Sequence, residues 1–224
     1  MDIMDIKRKC AKAALNYIES GTVIGLGGGS TIAHLIRFIK EEQIDIKVVT
    51  PSWETKRNCE EAGLAVIPLS EVSEVDVAFD GCDQVDEHLH ALKSGGGIHT
   101  DEKLVARMAE EYILLVDESK VVQELTYEHP VVLEVIPKAL AFVTHQLPDA
   151  ERVEIRMSRD KDGPVMTERG NLLLDVYVQG NQDSARLEDR LKGMPGVLDV
   201  SLFTSVVTKA LVAGESGIRE MTKR

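Results

Sequence analysis

Residues 77–103, VAFDGCDQVDEHLHALKSGGGIHTDEK, collect the side chains that proton transfer on a small anion requires. A short apolar run ends in Asp80, and Asp83 follows at once. Lys93, the glycines Gly95, Gly96 and Gly97, and the pair Glu102 and Lys103 come next, where a helix begins. Two nearby carboxylates can differ in proton affinity, so that one accepts while the other donates. A lysine can neutralise an oxyanion that develops on a substrate. Glu102 falls in the first turn of its helix, where the dipole favours the charged form while burial disfavours it, and the sequence leaves that balance open.

The same stretch admits two other readings. Asp80, Asp83, Asp86, His88 and His90 could ligate a divalent ion, but their spacing matches neither an EF-hand nor HExxH. Alternatively the acids form a solvated loop, with Glu102 and Lys103 a charge pair at a helix terminus. His88, His90 and His99 read as loop or surface residues. Cys82 has no evident thiolate-stabilising partner and reads as packing.

A second loop, GLGGGST at 25–31, lets backbone approach a ligand closely. Ser30 and Thr31 add hydroxyls at a helix N-terminus, whose free N–H groups favour phosphate. Two nucleotide motifs fail here. The third glycine of G-x-G-x-x-G would be Ser30, and the next strand ends without a ribose-binding acid. A P-loop needs a lysine that this loop lacks. A tight turn without ligand is the plain alternative, and anion binding is the favoured reading.

The elements that must hold these loops alternate. Apolar periodicity predicts helices over 3–19, 30–39, 53–62 and 101–111, and strands over 22–26, 45–50, 65–68, 75–80 and 112–116. Such alternation implies a parallel sheet covered on both faces, with ligands at the carboxyl ends of its strands. The rhythm changes near Tyr127. Strands at 131–136, 152–157, 172–176 and 198–203, with helices at 139–146 and 184–191, give the β-α-β-β-α-β order of a ferredoxin-like unit. A strand at 206–212 then returns to the first sheet. The expected organisation is α/β: a parallel-sheet domain of residues 1–126 plus 205–224, with a ferredoxin-like domain, 127–204, inserted.

The chain has 224 residues, enough to bury a real core. No apolar run approaches the ~20 residues of a membrane span. The N-terminal pattern carries charges and no h-region, which predicts no signal peptide. Three cysteines without a paired pattern fit a reducing cytoplasm. A net charge of −12 argues against nonspecific nucleic-acid binding and requires any phosphate site to be a local positive pocket.

The two loops, in this order, resemble ribose-5-phosphate isomerase of the A type. GLGGGSTIAHLI, FDGCDQVD, LKSGGG, TDEKLVA, VDESK, LEVIP, GNLLLDV and MPGV carry the similarity through most of the chain. The resemblance implies that the parallel-sheet domain, 1–126 plus 205–224, is Rossmann-like, and it implies reversible conversion of D-ribose 5-phosphate to D-ribulose 5-phosphate, without metal or nucleotide, in a dimer or tetramer. It implies that Glu102 is the general base, and that Asp80, Gly81, Cys82 and Asp83 form one substrate-contacting segment. Lys93, Ser94, Gly95 and Gly96 form another. It further places the phosphate near the segment running from Gly27 through Gly28, Gly29, Ser30 and Thr31, with Lys7 close to it, and makes Lys120 a substrate lysine. Five positions depart from the family's usual pattern: Gly28 for threonine, Cys82 for alanine, Gln84 for glutamate, Ser94 for glycine and Asp101 for arginine. Two other functions follow from these departures: a noncatalytic sugar-phosphate-binding paralogue, or an isomerase for a different sugar phosphate.

Overall fold

The computed structural model describes residues 3–180 and 182–223. Helix α1 (Ile3–Ala14) leads through a 3-10 turn into β1 (Val23–Leu26), α2 (Ser30–Glu41), β2 (Lys47–Val49), α3 (Trp53–Ala62), β3 (Ala65–Val66) and β4 (Val75–Asp80). Two short strands, β5 (Gln84–Val85) and β6 (Ala91–Leu92), precede α4 (His99–Met108) and β7 (Ala109–Asp117). Then come β8 (Val131–Val135), α5 (Leu140–His145), β9 (Arg152–Ile155), β10 (Leu172–Tyr177), α6 (Ser184–Lys192) and β11 (Val197–Val200). The last strands are β12 (Leu202–Phe203), β13 (Lys209–Gly214) and β14 (Gly217–Thr222).

The main sheet runs β14-β13-β7-β4-β1-β2-β3, parallel except for the β13–β14 hairpin. From β1 the chain proceeds to β2 and β3 on one side, whereas β4, β7 and β13 build the other. The carboxyl ends of β1 and β4 therefore flank the point where strand order reverses, the crevice in which open α/β sheets bind ligands. Period-two alternation assigns the faces. Ile24, Leu26, Val77 and Phe79 pack against α1 and α2, while Ala78, Tyr112 and Leu114 share a core with Val105 and Ala106 of α4. Asp80 is in phase with Ala78, so it too turns to the α4 side.

The second sheet is antiparallel with order β11-β8-β10-β9, the ferredoxin-like plan. Val131, Leu133, Leu174 and Val176 bury one face against α5 and α6. Its other face lies over the start of α4: Glu134 accepts hydrogen bonds from the Thr100 and Thr167 hydroxyls and the Asn171 amide. A three-stranded sheet, β12-β6-β5, joins the two units.

Three expectations need correction. The helix predicted over 101–111 ends at Met108, because Ala109 and Glu111 pair with Val75 and Val77 of β4. The strand predicted over 198–203 is two strands in different sheets, separated at Ser201, whose hydroxyl and backbone both bond to Val132. His99 is not a loop or surface residue. It is 1 % exposed in the first turn of α4, with Nε2 3.3 Å from the Asp199 carbonyl, and burial lowers its pKa to about 4.

Candidate active site

Three segments meet at the sheet edge. β1 delivers the loop Gly27–Gly29, β4 delivers Asp80 to Asp83, and the Lys93–Gly97 loop leads into α4 with Glu102. They enclose a cleft of about 500 Å³, lined by residues that include Gly28, Gly29, Asp83, Lys93, Glu102 and Lys120.

Asp80 is buried with each oxygen engaged. Oδ1 accepts from the Gly81 N–H at 2.7 Å, and Oδ2 accepts from the Tyr112 hydroxyl at 3.0 Å. Lys93 Nζ lies 3.1 Å from Asp80 Oδ2 and 3.4 Å from Glu102 Oε1, and donates to the Gly81 carbonyl at 2.5 Å. The side chains of Lys93, Asp80 and Glu102 are 6 %, 4 % and 9 % exposed, so one cation is shared by two carboxylates out of water. Burial opposes the lysine's charge, but Asp80 and Glu102 together outweigh it and hold Lys93 protonated. Burial, reinforced by the charge of Asp80 and opposed by Lys93, raises Glu102 from its ordinary 4.5 to about 8. The balance between dipole and burial thus falls on the side of burial.

Local sequence explains this arrangement. Gly27 donates to the Phe79 carbonyl at 2.8 Å, and a Cβ on it would overlap the Asp80 carboxylate, so only glycine lets β1 pass this close. The Thr55 hydroxyl donates to the Gly27 carbonyl from α3. Gly29 caps α2 with φ 99°, and no side chain caps that helix, which leaves its first N–H groups open to an anion. Lys7 Nζ donates to Ser30 Oγ at 2.9 Å and brings a cation to the same helix end. Lys120 Nζ donates to the Cys82 carbonyl at 2.7 Å. Asp83 is half-buried; its Oδ2 accepts from the Ser94 N–H at 2.5 Å, and its carboxylate borders the cleft.

Several side chains stand apart from the predicted cluster. Lys103 does not pair with Glu102. Its Nζ is buried on the far side of α4, 2.7 Å from Glu188 Oε1, 2.8 Å from Asp199 Oδ1 and 2.7 Å from the Val200 carbonyl. Replacing it with methionine leaves Glu188 without a cation and Asp199 with only Lys192, 3.6 Å away, so Lys103→Met is expected to lower unfolding free energy by about 3–5 kcal/mol, read by denaturant titration. Asp86 serves its own turn, accepting from the backbone N–H groups of His88 and His90. Among the described residues no group of three His, Cys, Asp or Glu side chains is arranged to hold a metal ion. The Cys82 thiol is buried and pushed up to about 12 by that burial.

Sequence reasoning missed Tyr112 and Phe203. Tyr112 is the one hydroxyl-bearing side chain in the apolar run YILLV, which is the signal that marks it. Phe203 has no such signal; its ring stacks on Tyr112 and lies between Lys93 and Lys103, 5.7 and 4.9 Å from their Nζ atoms. Asp101, a departure from the expected pattern, pairs with Arg169, which also lies 3.6 Å from Glu134. Gln84 exchanges hydrogen bonds with Thr126.

The doubly wound sheet holds, at its switch point, a buried acid–lysine pair beside an uncapped helix N-terminus, an arrangement able to move protons on a small anion. The chain belongs to the ribose 5-phosphate isomerase A (phosphoriboisomerase A) family, whose profile matches residues 47–217. It is 39 % identical to ribose-5-phosphate isomerase A of Methanocaldococcus jannaschii, over 98 % of each chain. It is 38 % identical to that of Thermosynechococcus vestitus, over 98 % of this chain and 97 % of the other. The solved Methanocaldococcus jannaschii structure superposes with a TM-score of 0.91 over 99 % of this chain and 100 % of that one. A D-ribose-5-phosphate isomerase solved in complex with phospho-erythronic acid, 35 % identical, superposes with a TM-score of 0.93 over 99 % of this chain and 100 % of that one.

Proposed function

We propose that this protein is an aldose–ketose isomerase that interconverts D-ribose 5-phosphate and D-ribulose 5-phosphate in the non-oxidative pentose phosphate pathway. The observation that carries the reading is the buried Glu102 beside Lys93, since a mere sugar-phosphate binder has no need of a desolvated base and cation in contact. The reaction moves one proton between C1 and C2 and another between their oxygens. Glu102 takes the carbon-bound proton from the open-chain sugar and returns it to the adjacent carbon. Lys93 faces the enediolate oxygen charge and needs no reorganisation as that charge forms. The roles of the aspartates separate by environment. Asp80 is fully engaged and fixes Lys93, whereas Asp83, at the cleft wall, handles oxygen protons and ring opening. Gly28, Gly29, Ser30 and Thr31 take the phosphate, with Lys7 and Lys120 adding charge. Gly81, Cys82, Ser94, Gly95 and Gly96 contact the sugar. Remote phosphate binding orients the reacting carbons.

Lys7→Met is expected to raise KM for ribose 5-phosphate about tenfold or more, the value of one hydrogen bond to a charged group, with kcat nearly unchanged in steady-state assays. The substrate reading is tested by incubating purified protein with ribose 5-phosphate, without added metal, and then with other pentose and hexose phosphates. The highest kcat/KM is expected for ribose 5-phosphate. Binding without turnover would make the protein a noncatalytic binder, and preference for another sugar would replace the substrate.

We further propose that the protein acts in the cytoplasm, and that residues 1–126 with 205–224 and residues 127–204 form two domains. It self-associates as a dimer or tetramer; the exposed Phe142, Ile155 and Met157 of the smaller unit supply apolar surface for that contact.

A further inference from the structure

We propose that Arg156, just beyond β9, is a positioning residue that shapes the Lys93–Gly96 loop into an oxyanion-binding turn. The inference rests on the isomerase reading. The Arg156 guanidinium reaches across from the small sheet and makes two sets of bonds. Nε and Nη2 engage the Asp175 carboxylate of β10, at 3.1 Å and 2.6 Å. Nη2 also donates to the Ser94 carbonyl at 2.8 Å, and Nη1 donates to the Gly95 carbonyl at 3.0 Å. One planar fork therefore holds two consecutive carbonyls of the catalytic loop and is itself held by an acid.

The orientation of those carbonyls fixes the opposite edge of the loop. In a trans peptide the C=O and the following N–H point in opposite directions. With the Ser94 and Gly95 carbonyls drawn toward Arg156, the N–H groups of Gly95 and Gly96 point away from it. Both glycines line the cleft that contains Lys93 and Glu102. Among the described residues neither N–H has an acceptor within the chain, whereas the preceding Ser94 N–H is taken by Asp83. Two successive unpaired N–H groups beside a buried ammonium form a concavity for a developing oxygen charge.

Besides Arg156, the loop is held at its start by the Lys93 N–H on the Ser201 carbonyl at 3.0 Å and the Ser94 N–H on Asp83. Behind it lies a second, open cavity of about 1280 Å³, and Ser94, Gly95, Arg156 and Asp175 all line that cavity. The loop is thus a thin wall between two solvent-accessible spaces. Arg156 and the Ser94 hydroxyl, which donates to the Pro130 carbonyl at 2.5 Å, tie it to the smaller unit. Because Arg156 touches backbone carbonyls and not the cleft, its contribution passes through the loop.

The test compares wild type, Arg156→Ala, Arg156→Lys and Asp175→Asn in steady-state isomerisation of ribose 5-phosphate, with thermal melting of each. Wild-type turnover establishes the reaction independently, so an inactive wild type would count against the isomerase reading and not against Arg156 alone. Arg156→Ala is expected to lower kcat about a hundredfold with a much smaller change in KM, as a misplaced contact does. Its acid-limb midpoint, set by Glu102, is expected to stay where the wild type has it. Guanidinium ion at sub-denaturing concentration is expected to restore part of the lost kcat in Arg156→Ala. Arg156→Lys, which cannot span both carbonyls and Asp175, is expected to remain impaired, and Asp175→Asn to lie between it and wild type. Wild-type kcat in a folded Arg156→Ala or Arg156→Lys protein would overturn the proposal. So would a loss that appears only as lowered melting temperature and that guanidinium does not relieve.

Discussion

Glu102→Gln is expected to lower kcat for ribose 5-phosphate isomerisation by about 10²–10⁴-fold, the usual contribution of a general base, while the sugar phosphate still binds. The amide keeps the size of the side chain but cannot accept the carbon-bound proton. Isothermal titration with ribose 5-phosphate checks binding, and stopped assays check turnover. Near-normal turnover would remove Glu102 from the base role. The same residue sets the pH dependence. Burial and the charge of Asp80 raise it to about 8, so the reactive carboxylate form fills only as pH rises through that value. Wild-type kcat/KM is therefore expected to climb on an acid limb with its midpoint near about 8. Stability follows the opposite course. The folded state keeps this proton to about 8, while an unfolded glutamate loses it near 4.5. Folding thus binds a proton in that window, and the stability contributed by this group falls as pH rises from about 4.5 to about 8.

Lys93→Met is expected to lower kcat by about 10²–10³-fold, as loss of one oxyanion-stabilising donor does. A second consequence follows from the geometry. Lys93 is the cation that restrains the upward shift of Glu102, with Nζ 3.4 Å from its carboxylate. Removing it leaves Asp80 and Glu102 facing each other in a buried space, so the acid limb of the variant is expected to move to higher pH than in wild type. A pH–rate profile separates this from a purely structural loss, which would lower the plateau without moving the limb. Lys93→Arg retains the charge but is too bulky to keep the 2.5 Å bond to the Gly81 carbonyl, and it is expected to recover the limb position better than the rate.

The parts of this fold with strong local signals were legible in the sequence. α3 begins and ends as periodicity predicts, because Ser52 caps its N-terminus and Gly63 adopts the left-handed conformation that stops it. The glycine loop and the acidic loop lie at neighbouring strand ends because alternating strands and helices leave few other topologies. The ferredoxin-like order was legible for the same reason. What escaped is tertiary in origin. β5, β6 and β12 have two residues each and exist only through pairing with one another. β14, GIREMT, is almost wholly exposed and lacks the alternation that marks a strand; its pairing with β13 makes it one. The glutamates at 110 and 111 suit a helix, yet pairing of this segment with β4 overrides that preference.

In the site, residue types announced the acids, Lys93 and the glycines, but not their states. Whether Glu102 is a solvated helix-end charge or a buried base depends on its burial beside Asp80 and Lys93, which α4 and the sheet bring together from separate segments. The burial of His99 and the separation of Lys103 from Glu102 likewise follow from the second sheet lying over α4. Arg156 and Asp175 support the lysine loop from some sixty and eighty residues away, and no local pattern marks such a contact.

The most direct test of the central claim, that this cleft moves a carbon-bound proton on a pentose 5-phosphate, is proton NMR of purified protein with D-ribose 5-phosphate in deuterated buffer, and separately with D-ribulose 5-phosphate. Each sugar is predicted to convert to the other, both reactions reaching the same mixture. Two sugars that remain unchanged in the presence of folded protein would contradict the account.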